Sequence, residues 1–327
     1  MARTRLAVVA VLAVVFALVP GAAAGPRGFS LTLDWTPNPD HVGIYMARDA
    51  GLFARAGLDV SIHAPSDPTA PLKLVGVGKT DLAVSYEPEV FDAVAKGLPV
   101  VAVAAIVPEP LNSLMAIEPG INSVRDLAGH TVGITGVPSD YATLDTALAS
   151  AGLTRKDVKI VSVGYNLLPA LLAHRVDAVL GVYRNVEGIQ LQQRGLHPTI
   201  VPVNRAGVPT YAELVLVASS TRLRSDAAYR SEVQQAVTAI IAGTIAARRD
   251  PARALAVLRK VTASDPAFLD RATPATLRLL TGPHGVGCLN AAEWGRYGVW
   301  MRARKLLSAA IPASKVVDTE FLPARCG

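Results

Sequence analysis

Cysteine is nearly absent. Cys288 and Cys326 are the only two in 327 residues. That allows one disulfide at most, and there is no C-x-x-C motif. An oxidising compartment would favour the bridge, which ties the C-terminal tail to the glycine-rich loop Gly282–Gly287; two free thiols are the alternative. There is no run of five or more like charges, and arginine and lysine are scattered, so nucleic-acid binding is not indicated. G-x-S-x-G, H-E-x-x-H and a Walker loop are also missing, and the six histidines are dispersed. Neither a hydrolase nor a metal site emerges, and no catalytic residue, metal or cofactor is expected. Internal repeats are lacking too.

Apolar residues make up 51% of the chain, enough for a large core, and the length suits about two domains. Part of that figure sits at the start. Arg3 and Arg5 precede an apolar run from Leu6 to Val19, then Pro20 and Ala22-Ala23-Ala24. This reads as a secretory signal over residues 1–24, cut near Ala24, with an uncleaved anchor as the alternative; the run is short for a membrane span of about 20 residues. No cysteine lies nearby to carry a lipid. The formal charge of +6 becomes +4 without the two arginines.

The stretch Asp34–His41, D-W-T-P-N-P-D-H, organises the rest. The alternation Phe29–Leu33 runs into it as a strand. Pro37 and Pro39 stop that strand, since they cannot donate to a ladder and they fix φ. Helical spacing resumes at Val42. The turn between holds an indole, Trp35, an amide, Asn38, and an imidazole, His41. In open α/β sheets, ligands sit beyond the carboxyl ends of strands, and this turn is at such an end.

Strands and helices then alternate, as in βαβ units with a mostly parallel sheet. A helix is expected at 43–55, a strand at 58–64, a helix at 71–78, a strand at 81–85, a turn at 86–89 and a helix at 90–96. The continuous apolar run Pro99–Val107 suits a strand buried on both faces. Pro108-Glu109-Pro110 breaks the rhythm and marks a crossing to a second lobe, residues 111–210, in which Ser139 caps a helix. A return crossing near Gly207–Thr210 leads back to the first lobe, residues 25–110 and 211–327. The C-terminal part reads as helices, with Trp294, Tyr297 and Trp300 as core packing. The fold class is α/β, two-lobed with two crossings, and the ligand cleft lies at the hinge. Closure around a ligand is the expected motion.

Polar candidates cluster at strand ends. The first lobe supplies Trp35, Asn38, His41, Tyr86, Glu87 and Glu89. The crossings supply Asn112, Tyr211 and Glu213. The second lobe supplies Gly136, Ser139, Asp140, Tyr165, Asn166, Tyr183, Asn185 and Glu187. For any single acid a solvated rim is the alternative. Several acid–aromatic pairs together favour a flat ligand carrying donors, such as an aminopyrimidine edge. Each charge-assisted bond contributes about 1.5–3 kcal/mol, and ring stacking about 0.5–1.5 kcal/mol. Trp35 with Tyr86 or Tyr183 would stack. Glu87 or Glu187 would pair with the amino edge. Asn38, His41 and Asn185 would orient the ring. The glycine-bearing turn Gly136–Ser139, at a helix start, would hold a polar tail.

The segments D-W-T-P-N-P-D-H-V-G-I-Y, A-G-L-F-A-R-A-G-L-D-V, S-Y-E-P-E, P-L-N-S-L-M, G-Y-N-L-L-P-A-L-L and P-T-Y-A-E-L-V-L-V-A, spread over about residues 29–260, resemble the thiamine-pyrimidine-precursor binding proteins. The resemblance implies a two-lobed periplasmic-binding-protein fold (type II), an extracytoplasmic subunit of an ABC importer with a permease partner, and a bound formylaminopyrimidine or hydroxymethylpyrimidine. Riboflavin is an alternative, as is a sulfonate or nitrate anion. The fungal pyrimidine synthase belongs to the same superfamily. Its pyridoxal-phosphate lysine and a nearby histidine would fall at Ser85 and Glu89, and its cysteine cluster has no counterpart. A binding protein, not an enzyme, is therefore expected.

Overall fold

A computed structural model describes residues 27–67 and 69–326. The export segment expected at 1–24 lies outside the described residues. Two five-stranded sheets, each flanked by helices, form the two lobes. The first has the order β2-β1-β3-β10-β4, from β1 (Arg27–Thr32), β2 (Leu58–His63), β3 (Leu82–Ser85), β4 (Val100–Val107) and the late strand β10 (Leu214–Ser219). The second has the order β7-β6-β8-β5-β9, from β5 (Asn112–Ala116), β6 (Thr131–Ile134), β7 (Lys159–Ser162), β8 (Ala178–Tyr183) and β9 (Thr199–Pro202).

The sheets are mixed, which corrects the mostly parallel expectation. β10 is antiparallel to β3 and β4, and β5 is antiparallel to β8 and β9. These are the first strands after each passage between the sheets. A chain that enters a sheet from the edge where its other strands end can only run away from that edge. The cleft is therefore bordered by the ends of β1, β3, β6 and β8 and by the beginnings of β5 and β10.

Helix starts differ from the sequence reading where proline decides. The helix expected at 43–55 is two, α1 (Val42–Asp49) and α2 (Leu52–Arg55), parted at Gly51, whose φ of 65° is left-handed. After α3 (Ala70–Gly76), α4 spans Glu87–Ala95. It begins three residues early because Pro88 suits a first turn, so Glu87 and Glu89 are helical. α5 (Pro138–Ser150) begins at Pro138, and Ser139 lies inside its first turn instead of capping it. α6 (Leu167–Leu172) and α7 (Glu187–Gln193) complete the second lobe. α8 (Ser220–Ser225), α9 (Ala227–Arg249), α10 (Pro251–Val261), α11 (Pro266–Leu277) and α12 (Ala291–Ala303) follow β10.

β4 is an edge strand by sheet order, yet it is buried throughout. The C-terminal segment covers it: the Ala102 and Ala105 amides donate to the carbonyls of Val316 and Gly287. Cys288 and Cys326 form a disulfide that fastens this cover. Trp294 and Tyr297 are buried against Phe91. Among the described residues no helix is long and apolar enough to cross a membrane.

α9 crosses α1 at glycines. A Cβ on Gly243 would lie 2.3 Å from the Gly43 carbonyl oxygen and 2.7 Å from the Ala47 amide nitrogen. Both are backbone atoms, so a helix would have to move. Gly243→Ala is expected to destabilise the protein by about 1–3 kcal/mol, read from urea unfolding; an unchanged midpoint would refute this tight crossing.

Candidate functional site

The strand ends meet around a cavity between the lobes. Asp34, Trp35 and Asn38 follow β1; Tyr86 and Pro88 follow β3; Thr135, Val137, Ser139, Asp140 and Thr143 follow β6; Tyr183, Val186 and Glu187 end or follow β8; Asn112 opens β5, and Tyr211 and Glu213 precede β10. Four of these are carboxylic acids. Among the described residues lining the cavity, none is lysine or arginine.

Each acid is held by donors of the protein. Asp34 is buried; its Oδ2 accepts from the Tyr86 hydroxyl at 2.9 Å and its Oδ1 faces His41 Nε2 at 2.8 Å. The Asn38 amide donates to His41 Nδ1, so Nε2 carries the proton that Asp34 accepts. Glu213 Oε2 accepts the Leu111 and Asn112 amides at 2.7 and 2.8 Å, and the Tyr211 hydroxyl at 3.2 Å. Glu187 accepts the Tyr183 amide at 2.8 Å. Asp140 accepts the Thr135 hydroxyl at 2.5 Å and the Gly136 amide at 2.8 Å. Burial pushes Glu213 and Glu187 up to about 7 and Asp140 up to about 6, against the pull of those hydrogen bonds.

Trp35 stands at the boundary between the lobes. Its ring meets Tyr165, from the loop after β7, edge-on at 3.9 Å, and the Tyr165 hydroxyl donates to the Asp34 carbonyl at 3.1 Å.

Ten residues expected from sequence line the cavity: Trp35, Asn38, Tyr86, Asn112, Ser139, Asp140, Tyr183, Glu187, Tyr211 and Glu213. Seven do not line it: Glu89, Tyr165 and Asn166, and four whose roles are corrected because they bond to other groups of the protein, His41, Glu87, Asn185 and Gly136. His41 is fully buried behind Asp34 and fixes that carboxylate. Glu87 is turned away, and its Oε2 accepts the Ala212 amide at 2.7 Å. Asn185 is buried and donates to Asp40 at 2.7 Å and to Thr276 at 2.9 Å, so it joins the lobes. Gly136 makes the turn, with φ of 93°, and gives its amide to Asp140. Asp34 was missed outright, although it is the first letter of the organising motif and the residue next after a strand. Thr135, Thr143 and Gly181 carry no signal at the sequence level.

The NMT1/THI5-like family profile matches residues 38–254. The chain belongs to that family. A Haemophilus influenzae protein named for thiamine biosynthesis is 40% identical over 212 residues, 64% of this chain and 68% of that protein. The formylaminopyrimidine-binding protein of Halalkalibacterium halodurans is 41% identical over 188 residues, 57% of each chain. The 4-amino-5-hydroxymethyl-2-methylpyrimidine phosphate synthase of Uromyces fabae is 30% identical over 166 residues, 50% of this chain and 48% of that one. Among solved structures, the alkanesulfonate-binding protein of Xanthomonas axonopodis pv. citri superposes with a TM-score of 0.72 at 20% identity, covering 91% of this chain and 100% of that one. The fold is thus the two-lobed periplasmic-binding-protein fold.

A carboxyl whose folded pKa is raised favours folding fully below its unfolded value, about 4.3, and that contribution is lost as pH rises through about 7. Glu213→Gln removes one such group. Its melting temperature relative to the native protein is expected to rise from pH 4.5 to pH 8; a constant difference would show that Glu213 titrates normally.

Proposed function

We propose that this protein is the extracytoplasmic substrate-binding subunit of an ABC importer and captures an aminopyrimidine precursor of thiamine, formylaminopyrimidine or hydroxymethylpyrimidine, without transforming it. One observation carries the reading: four carboxyls, three of them buried and Glu187 half-buried, and three phenols surround an indole-walled cavity that no described lysine or arginine lines. Such a surface suits a flat ring rich in N–H donors and repels anions. The formylaminopyrimidine-binding relative supports the ligand class.

In this reading the ring stacks on Trp35 and on Tyr86 or Tyr183, its amino edge donates to Glu187 or Glu213, and Asn38 and Asn112 set its orientation. Residues 25–110 with 211–327 form one hinged half and 111–210 the other; the membership of the two sheets supports that division. Export rests on the N-terminal segment ending near Ala24, and a permease is the receiving partner. Synthase chemistry through pyridoxal phosphate would need a lysine for the Schiff base, and none is among the described residues of the cavity.

Isothermal titration with formylaminopyrimidine, hydroxymethylpyrimidine, riboflavin and taurine tests this. One of the two pyrimidines is expected to bind best, and taurine not at all. Trp35→Ala should weaken pyrimidine binding roughly 2- to 13-fold, the equivalent of a stacking contribution of about 0.5–1.5 kcal/mol. Binding of taurine alone would overturn the proposal.

A further inference from the structure

The start of α5 is where this fold could hold an anion. A helix of 13 residues opens there onto the cavity, and the amides of a first turn, with the helix dipole, attract negative charge. Every backbone N–H of the turn is nevertheless engaged. The Gly136 amide donates to Asp140 Oδ2 at 2.8 Å and the Val137 amide to Thr135 Oγ1 at 3.4 Å. Pro138 has none. The Asp140 amide donates to the Val137 carbonyl at 3.1 Å. The Ser139 amide donates to Glu89 Oε1 at 3.2 Å. The first three arrangements are local. The fourth is not: Glu89 belongs to α4, in the other lobe, fifty residues away.

We propose that Glu89 is a specificity-determining residue: its carboxylate reaches across the cleft, occupies the anion position at the start of α5, and selects against ligands carrying a phosphate or sulfonate. The inference rests on the cleft being the ligand site. Glu89 is 8% exposed, so little water screens it. Its charged neighbours, Asp140 and Asp92, are also acids. An entering anion would have to displace a tethered carboxylate and then face that acidic surround. A neutral pyrimidine alcohol meets no such competition, and its phosphate ester does.

Glu89 also joins the lobes, so its loss could weaken every ligand alike. A ratio separates the two roles. The full chain, with Glu89→Ala and Glu89→Gln variants checked for folding by circular dichroism, is titrated at pH 8 with 4-amino-5-hydroxymethyl-2-methylpyrimidine and with its phosphate monoester. Glu89→Ala is expected to raise the affinity for the ester relative to the alcohol at least about tenfold, and Glu89→Gln, which keeps an acceptor for the Ser139 amide, by less. Equal weakening of both compounds overturns the inference and leaves a closing contact only. Inorganic sulfate provides an independent arm, in which Glu89→Ala gains binding that the native protein lacks. If neither pyrimidine binds the native chain, the ligand reading fails, and the sulfate result alone decides the role of Glu89: gain supports it, no gain refutes it.

Discussion

Asp34 is fixed from three directions. His41 and Tyr86 hold its carboxylate, and Tyr165 of the second lobe holds its carbonyl. A buried carboxylate without a cation must be satisfied by hydrogen bonds or it costs several kcal/mol. The sequence around Asp34 meets that demand locally: Pro39 opens a short helical turn, Asn38 caps it, and His41 is thereby aimed back at Asp34. Trp35 follows directly in the chain, so the constraint on Asp34 also sets where the indole stands. The same rule governs Glu213, which takes the Leu111 and Asn112 amides and so ties the returning crossing to the outgoing one. The acids that line the cavity thus help to set the hinge as well.

The fold was largely legible because its signals are local. Strand alternation, proline stops and the break at Pro108–Pro110 mark elements and a crossing without knowledge of partners. Strand direction was not legible, since the sense of β5 and β10 depends on which edge the chain enters from, and no periodicity records that. Helix starts slipped at Pro88 and Pro138 for a related reason: proline stops a strand and also opens a helix, and residue type alone does not say which.

The site was legible to the extent that strand ends are functional places. Trp35, Tyr86, Tyr183 and Tyr211 are found there, with Glu187 beside them. What failed was the direction of side chains. Glu87 and Glu89 are two apart at the start of one helix, so they point different ways. Glu87 turns toward the Ala212 amide and Glu89 toward the second lobe. His41 and Asn185 have the chemistry of ligand contacts but serve buried acids, Asp34 and Asp40. A polar residue in a binding motif can support the residue that touches the ligand, and sequence alone does not separate these roles.

Charge decides between the functions this fold can host. The fold neighbour that binds alkanesulfonate is similar in shape and only 20% identical, so shape leaves the ligand open. An anion site needs free amides or cations. At the start of α5 every amide is committed, two of them to carboxylates, and the lining described here supplies acids in place of cations. Glu187 and Glu213 lie near 7 because burial strips them of water, so each stands close to losing its proton. A ligand donor brought against such a carboxyl can replace the proton at little cost. In the proposed reading, a preference for donors over acceptors would come from the desolvated acids themselves, with no need for a change of fold.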